Sequence, residues 1–288
     1  MSPESVTIRD VAKHAGVSHQ TVSRVINDAD NVAPGTRAKV LLSIQELNYQ
    51  PNVFARSMAT GRSQTLACIS PNLTDFTFAR IIEGAETECR KFGYFLVSTS
   101  APDEETFNSL LDELVNARRT EGLLVMNPFA DNRHELIKGV EPMVYVGARP
   151  REEAANSVAL DDVCTGKEAT KHLISLGHKQ IGMVTGPMEE DCTQDRLAGF
   201  NAALDEAGLE LDSDLVAEGD WSASSGYAAF KQIVEKGNQP TAIFAQNDQM
   251  AVGVMQAARE MDINVPEDIS VIGVDNMPLA SYFDPPIT

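Results

Sequence analysis

Apolar residues at Ile8, Val11, Ala12 and Ala15 recur at the i, i+3, i+4, i+7 spacing of a short amphipathic helix. Thr7, with Asp10 three residues later, supplies an N-terminal capping signal. Gly16 permits the left-handed backbone that ends a helix, and Ser18 can cap a second one. In that second helix Val22, Val25 and Ile26 fall on the inner side, while His19, Gln20, Ser23 and Arg24 fall on the outer. Two short helices joined by a Gly-containing turn predict a helix-turn-helix, whose second helix enters the major groove of DNA. The outward residues suit that task, because Gln can pair with N6 and N7 of adenine and Arg can grip O6 and N7 of guanine. A small helical bundle with no DNA role has the same spacing, so the pattern needs support from the rest of the chain.

A third helix is predicted from Pro34 to Leu47, with Val40, Ile44 and Leu47 inward and the Tyr49–Pro51 step as its end. The stretch from Asn52 to Ser63 holds about two helical turns, too few to be stable alone. It reads either as a hinge ordered on DNA or as an ordinary linker. From Leu66 the pattern becomes short apolar strands alternating with amphipathic helices of about 10–18 residues. Strands are predicted at Leu66–Ser70, Tyr94–Thr99, Gly122–Met126 and Pro142–Val146, and a second set at Ser157–Leu160, Gln180–Val184, Ala242–Ala245 and Ser270–Val274. Between them lie helices at Phe78–Lys91, Thr106–Arg118, Thr165–Leu176, Gln194–Ala207, Ser224–Glu235 and Asp248–Met261. Such alternation means parallel sheets with helices on both faces, and so long a run is more than one sheet holds. The expected fold is an all-α headpiece followed by an α/β core of two lobes with parallel sheets. Its predicted domains are 1–50 for the helix-turn-helix, 51–63 for the hinge, 64–156 for the first lobe and 157–288 for the second.

Charge sharpens this division. The net charge of −19 is unfavourable for a DNA binder taken whole, but residues 1–62 carry seven Lys/Arg against five Asp/Glu, and residues 63–288 carry sixteen against thirty-seven. DNA contact is therefore confined to the front of the chain. Two weakly cationic heads in a homodimer would make up for the modest grip of one. No apolar run reaches the length of a membrane span and the first residues lack a secretory pattern, so a cytoplasmic protein without membrane contact is expected. Cys68, Cys89, Cys164 and Cys192 are far apart, without zinc spacing; no metal and no cofactor is expected.

With these elements in place, TIRDVAKHAGVSHQTVSRVIN resembles the DNA-binding signature of the lactose repressor family of bacterial transcription regulators. The resemblance continues through AKVLLSIQELNYQPNVFARSM, LGHKQIGMVTGP, DRLAGFNAAL, EGDWSASSGY, PTAIFAQNDQMA and DISVIGVDN followed by DPPIT. It implies a regulator, of the repressor type, whose affinity for a palindromic operator is set by a small effector, a sugar, bound between the core lobes. It places His19, Gln20 and Arg24 among base-reading positions, with His19 at a position that varies within the family. Thr7, Ser18, Thr21, Asn27, Asn31 and Thr36 match phosphate-contacting positions. Asn52, Ala55 and Met58 match the hinge, and Met58 stands where two subunits wedge an apolar side chain, usually Leu, into the minor groove. Simple helix packing of Met58 is the alternative.

The resemblance also implies effector-binding positions at Asn72, Phe76, Phe78, Arg196, Trp221, Asn247, Asp248 and Asp275. Arg196 would grip hydroxyls or carboxylates with its planar fork. Trp221 would set a flat face against a sugar ring, or else pack in a core. Asn247 and Asp248 stand at a strand-to-helix turn and suit a helix cap equally well. Gly147 departs from the family, where an Asp can bind a sugar hydroxyl. Arg149 would suit a phosphorylated effector, or be solvated. Relative to the family, the chain stops at Asp284-Pro-Pro-Ile-Thr288, before the segment that returns to the first lobe.

Two other classes compete. A plain sugar-binding protein shares the two-lobed core and lacks a DNA role. An enzyme could use the paired carboxylates Asp161-Asp162 or Glu189-Glu190-Asp191 with His172 or His178, but no P-loop, GxSxG, HExxH or GxGxxG is present, and acidic pairs are ordinarily solvated. No enzymatic activity is expected.

Overall fold

The computed structural model describes residues 6–50, 61–126, 133–137, 140, 142–147, 156–237 and 239–288. It divides into two compact units, Met1–Gln64 and Thr65–Thr288.

The first unit is three helices, α1 (Ile8–Ala15), α2 (His19–Ile26) and α3 (Pro34–Glu46). Thr7 and Asp10 cap α1: the Thr7 amide donates to Asp10 Oδ2 at 2.9 Å and its hydroxyl at 2.6 Å. Gly16 adopts φ 67°, a left-handed conformation that costs a residue with a Cβ but not glycine. The chain then turns so that the Val17 amide reaches the Ala12 carbonyl at 3.0 Å, and Ser18 Oγ accepts from the Thr21 amide to start α2. Val11, Ala12, Val22, Val25 and Val40 form the core where the three helices meet. Arg37 ties down the α2–α3 connection, donating to Asp28 Oδ1 and to the Ala29 carbonyl, both at 2.6 Å. The hinge positions Asn52, Ala55 and Met58 lie outside the described residues.

The second unit holds two parallel sheets. The first runs in the order β2 (Phe95–Ser100), β1 (Thr65–Ser70), β3 (Leu123–Val125), β4 (Met143–Val146), β5 (Ser157–Val158). The second runs β7 (Val216–Glu218), β6 (Ile181–Thr185), β8 (Ala242–Ala245), β9 (Ser270–Ile272). Helices α4 (Phe76–Lys91) and α5 (Glu104–Leu111) accompany the first sheet, with a one-turn α6 at Arg133–Leu136. Helices α7 (Asp162–Ser175), α8 (Asp191–Glu206), α9 (Ala223–Glu235) and α10 (Asp248–Glu260) accompany the second. Both faces of the second sheet are apolar. Leu173, Met183, Phe200 and Phe244 pack on one side, and Val184, Phe230, Ile243 and Val254 on the other. Ile69, Phe107, Leu111, Val125 and Tyr145 fill one face of the first sheet. No helix among the described residues is long and apolar enough to cross a membrane.

Several expectations are corrected. Ser157–Val158 belongs to the first sheet, paired as Tyr145↔Ser157 and Val146↔Val158, so the expected boundary at 156/157 separates this strand from the sheet it joins. A two-residue exposed edge has no alternation to tell which sheet it joins. Strand β7 has no counterpart among the expected strands, because three residues carry too little pattern. The helix predicted over Thr106–Arg118 is α5 followed by a π-helical turn at Asp112–Asn116. Helices α4, α7 and α8 begin two or three residues before their predicted starts. At α4 and α7 the reason is an Asp cap: Asp75 accepts from the Thr77 and Phe78 amides, and Asp161 accepts from the Cys164 amide.

Helices α7 and α8 touch backbone to backbone. A Cβ on Gly199 would lie 2.0 Å from the Val163 carbonyl oxygen, and one on Gly166 would lie 2.0 Å from that of Arg196. This approach brings Arg196 of α8 against the first turn of α7.

Candidate functional sites

In the first unit, Val22 and Val25 turn α2 inward and leave His19, Gln20 and Arg24 exposed on its opposite side. None of the three side chains has a hydrogen-bond or ion-pair partner among the described residues, and an uncommitted polar face is what base reading requires. The phosphate-contacting candidates surround this face. Thr7, Ser18, Asn27 and Asn31 are exposed, and Thr21 and Thr36 are half-buried. Three of them also make hydrogen bonds within the fold: the Thr7 hydroxyl is bound to Asp10, and Ser18 Oγ lies 2.9 Å from Thr21 Oγ1.

In the second unit a cavity of about 770 Å³ opens where the C-terminal ends of both sheets meet. Described residues beyond eight of the strands line it: Asn72 after β1, Pro102 after β2, Gly147 after β4, Leu160 after β5, Pro187 after β6, Trp221 after β7, Asn247 after β8 and Asp275 after β9. Loops at these ends are where ligands bind in parallel α/β folds.

The wall is built around Arg196, which is 7% exposed. Its Nε donates to Asp162 Oδ1 at 2.8 Å and its Nη1 to the Gln246 carbonyl at 2.5 Å. The guanidinium carbon stands 5.8 Å from the centre of the Trp221 ring. Trp221 is held at φ 71°, with its indole N–H donating to Glu190 Oε2 at 3.1 Å and its carbonyl accepting from Asn247 Nδ2 at 2.9 Å. Asn247 caps α10 with its other side-chain atom, accepting from the Met250 amide at 2.8 Å. One amide thus serves the cap and the wall together, so the two readings of Asn247 are not exclusive. Asp275, at φ 104°, is reached by the Thr77 hydroxyl at 3.4 Å from the other lobe. Non-glycine residues held in such backbone regions are strained and concentrate at binding sites.

Electrostatics follow from burial. Desolvation pushes the Asp275 carboxyl up to about 6, reinforced by the charges of Asp248 and Asp75 and opposed by Arg196. Burial also raises Glu190, against the stabilising indole N–H, and raises Asp162, against Arg196. The Cys192 thiol on the same wall is pushed up to about 12 by burial, which keeps it protonated and inert.

Of the expected effector positions, Asn72, Phe78, Arg196, Trp221, Asn247 and Asp275 line the cavity. Phe76 and Asp248 do not. Phe76 and Phe78 are two positions apart in the first turn of α4, so one helix face cannot present both. The Asp248 carboxylate turns to the Met277 amide at 2.7 Å, where it secures the loop that carries Asp275. The structure also brings in Glu190, Asp162 and Thr77 as wall residues, and Gly186 behind the indole. The sequence places Glu190 and Asp162 in acidic pairs that are ordinarily solvated, yet Glu190 is 8% exposed and the Asp162 side chain 12%. A Cβ on Gly186 would lie 2.1 Å from Trp221 Cζ2, so the ring position requires glycine. The Gly-Pro step after β6 was the only sequence signal of this constraint. Arg149 lies outside the described residues.

Residues 7–52 match the bacterial regulatory proteins of the lacI family, and residues 170–288 match the periplasmic binding protein-like domain. The HTH-type transcriptional repressor PurR of Vibrio atlanticus (strain LGP32) is 36% identical over 289 residues, covering 98% of this chain and 85% of the relative. The chain belongs to the lacI family. Catabolite control protein A of Priestia megaterium is 34% identical over 288 residues, covering 99% of this chain and 86% of that protein. Among solved structures, the lac repressor dimer bound to operator and the anti-inducer ONPF superimposes with a TM-score of 0.92 at 32% identity, covering 99% of this chain and 87% of that one. The transcriptional regulator CelR–cellobiose complex gives 0.71 at 30% identity, covering 98% and 86%. As a lacI-family member the protein is a DNA-binding transcriptional repressor under effector control. A sugar carrier without a DNA role is not favoured, because the regulatory family covers the helix-turn-helix itself.

Proposed function

We propose that this protein is a cytoplasmic homodimer that represses transcription by reading a palindromic operator through His19, Gln20 and Arg24, and that a sugar in the core cleft controls its affinity for that operator. The observation that supports this most directly is the pairing, in one chain, of an uncommitted polar face on α2 with a two-lobed cavity walled by Trp221, Arg196 and Asp275. Thr7, Ser18, Thr21, Asn27, Asn31 and Thr36 would hold phosphates and set the register of α2 in the groove. Asn52, Ala55 and Met58 would form the hinge contact with the minor groove. Domain limits of 1–50, 51–63, about 64–160 and about 161–288 suit this division of labour, the third extended to keep β5 with its sheet.

In the cleft, the Trp221 face would stack on the C–H side of a pyranose, and Asn72, Asn247, Arg196 and Asp275 would exchange hydrogen bonds with its hydroxyls. Because both lobes contribute, a ligand bridging them favours one lobe arrangement, and in a dimer this alters how the two heads are presented. Such coupling is reciprocal: whatever a sugar does to operator affinity, operator does to sugar affinity. The protein acts by binding, with no bond made or broken.

Selection from random duplexes by the intact dimer, followed by anisotropy titration with and without sugars, tests the proposal. A palindrome bound in a salt-sensitive way, with affinity altered by a sugar, is expected. Indifference to every palindrome would overturn it.

A further inference from the structure

We infer that the cleft selects an uncharged, hydroxyl-rich sugar and rejects the phosphorylated or carboxylated form of the same sugar. The inference rests on the cleft being the effector site and adds the chemical class of the effector. Among the described wall residues, five are carboxylates, Asp75, Asp162, Glu190, Asp220 and Asp275, and one is a cation, Arg196. That cation is partly neutralised within the chain, although its Nη2 has no partner among the described residues and can still donate to a ligand hydroxyl. Its Nε is bound to Asp162 and its Nη1 to the Gln246 carbonyl, so an incoming anion would have to compete with a buried internal partner.

The other common anion receptor, a helix N-terminus, is capped at α4, α9 and α10, and at α8 it is faced by a carboxylate that makes no capping bond. Asp75 Oδ1 accepts from the Thr77 and Phe78 amides at the start of α4. Ser222 Oγ accepts from the Ser225 amide at the start of α9, and Asn247 Oδ1 from the Met250 amide at the start of α10. At the start of α8 stands Glu190, itself a carboxylate. What the wall offers instead is acceptors. Among the described residues Asp275 is reached only by the Thr77 hydroxyl, at 3.4 Å, and half-buried on the wall it calls for hydrogen-bond donors. Trp221 and Phe78 supply apolar surface for a ring face. A neutral polyol meets these conditions, whereas a phosphate brings further negative charge and acceptors to a wall where five carboxylates stand beside one cation.

Calorimetry of the intact protein at low ionic strength distinguishes the possibilities, using glucose, galactose, lactose and cellobiose beside their phosphomonoesters and uronates. A neutral sugar should bind, with its phosphomonoester weaker by ~10-fold or more, because like charges repel strongly in a partly dehydrated site. Asp275→Asn and, separately, Asp220→Asn should narrow that gap, and added salt should narrow it for the native protein. A phosphomonoester or uronate that binds as tightly as its parent sugar overturns the inference, as does the failure of every neutral sugar to bind. Repeating the titration with operator present separates this from the regulatory reading. A neutral sugar that binds without changing operator affinity overturns the regulatory reading and upholds charge selection. A phosphomonoester that wins and does change operator affinity overturns charge selection and leaves regulation standing.

Discussion

Replacing Asp275 with Asn should make the ligand-binding unit more stable at neutral pH. The carboxyl sits on the cleft wall near the charges of Asp248 and Asp75, and burial pushes it up to about 6 against 3.8 in an open chain. A raised carboxyl costs stability when ionised. Below 3.8 it is neutral in both states and the cost is absent; the cost grows as pH rises from 3.8 to about 6 and stays constant above. Taken whole, that interval corresponds to on the order of 3 kcal/mol. Water reaches the open side of the cleft and screens the charge, so about 1–2 kcal/mol is the expected gain. Asn keeps the shape, tolerates positive φ and can still accept from Thr77. Urea unfolding followed by fluorescence measures it, since Trp221 is the single tryptophan and reports the second unit alone. The variant should be more stable at neutral pH, and its advantage should shrink towards the open-chain value of 3.8. Equal or lower stability at neutral pH, or an advantage that ignores pH, would refute the assignment of a desolvated carboxylate.

Arg24→Ala should cost ~1–3 kcal/mol of operator binding and relax the identity of one base pair, read by competition among single-substituted operators. Gly16→Ala should destabilise the first unit by ~1 kcal/mol in thermal unfolding, because φ is +67° and no atom lies within 4 Å of the added Cβ, leaving backbone strain as the whole cost. Gly186→Ala should displace the indole, shift its emission and weaken sugar binding by ~10-fold or more in calorimetry, because the Cβ would stand 2.1 Å from the ring.

Much of the fold was legible in local signals. Thr7, Asp10, Gly16 and Ser18 act within one or two turns of themselves, and the structure shows the capping and turning that their order predicts. Strands such as Ala242–Ala245 announce themselves because burial on both faces demands a continuous apolar run. The split of charge between the front of the chain and the rest was likewise a matter of counting. Element starts were less legible where Asp75 and Asp161 cap helices a few residues earlier than apolar periodicity begins.

The sequence by itself determined the helix-turn-helix, the alternation of strands and helices, and the ends of strands at which wall residues had to lie. Each depends on interactions between residues close in the chain. Only the tertiary structure decided which side chains meet. Thr77 reaches Asp275 across 198 positions, Trp221 finds Glu190 across 31, and Arg196 is placed against Asp162 by a helix contact that Gly166 and Gly199 allow. It also turned Asp248 away from the cleft and gave Ser157–Val158 to the first sheet. Periodicity and capping are short-range, whereas desolvation and charge pairing depend on neighbours that folding alone supplies, so the carboxylate-rich character of the cleft was settled by packing.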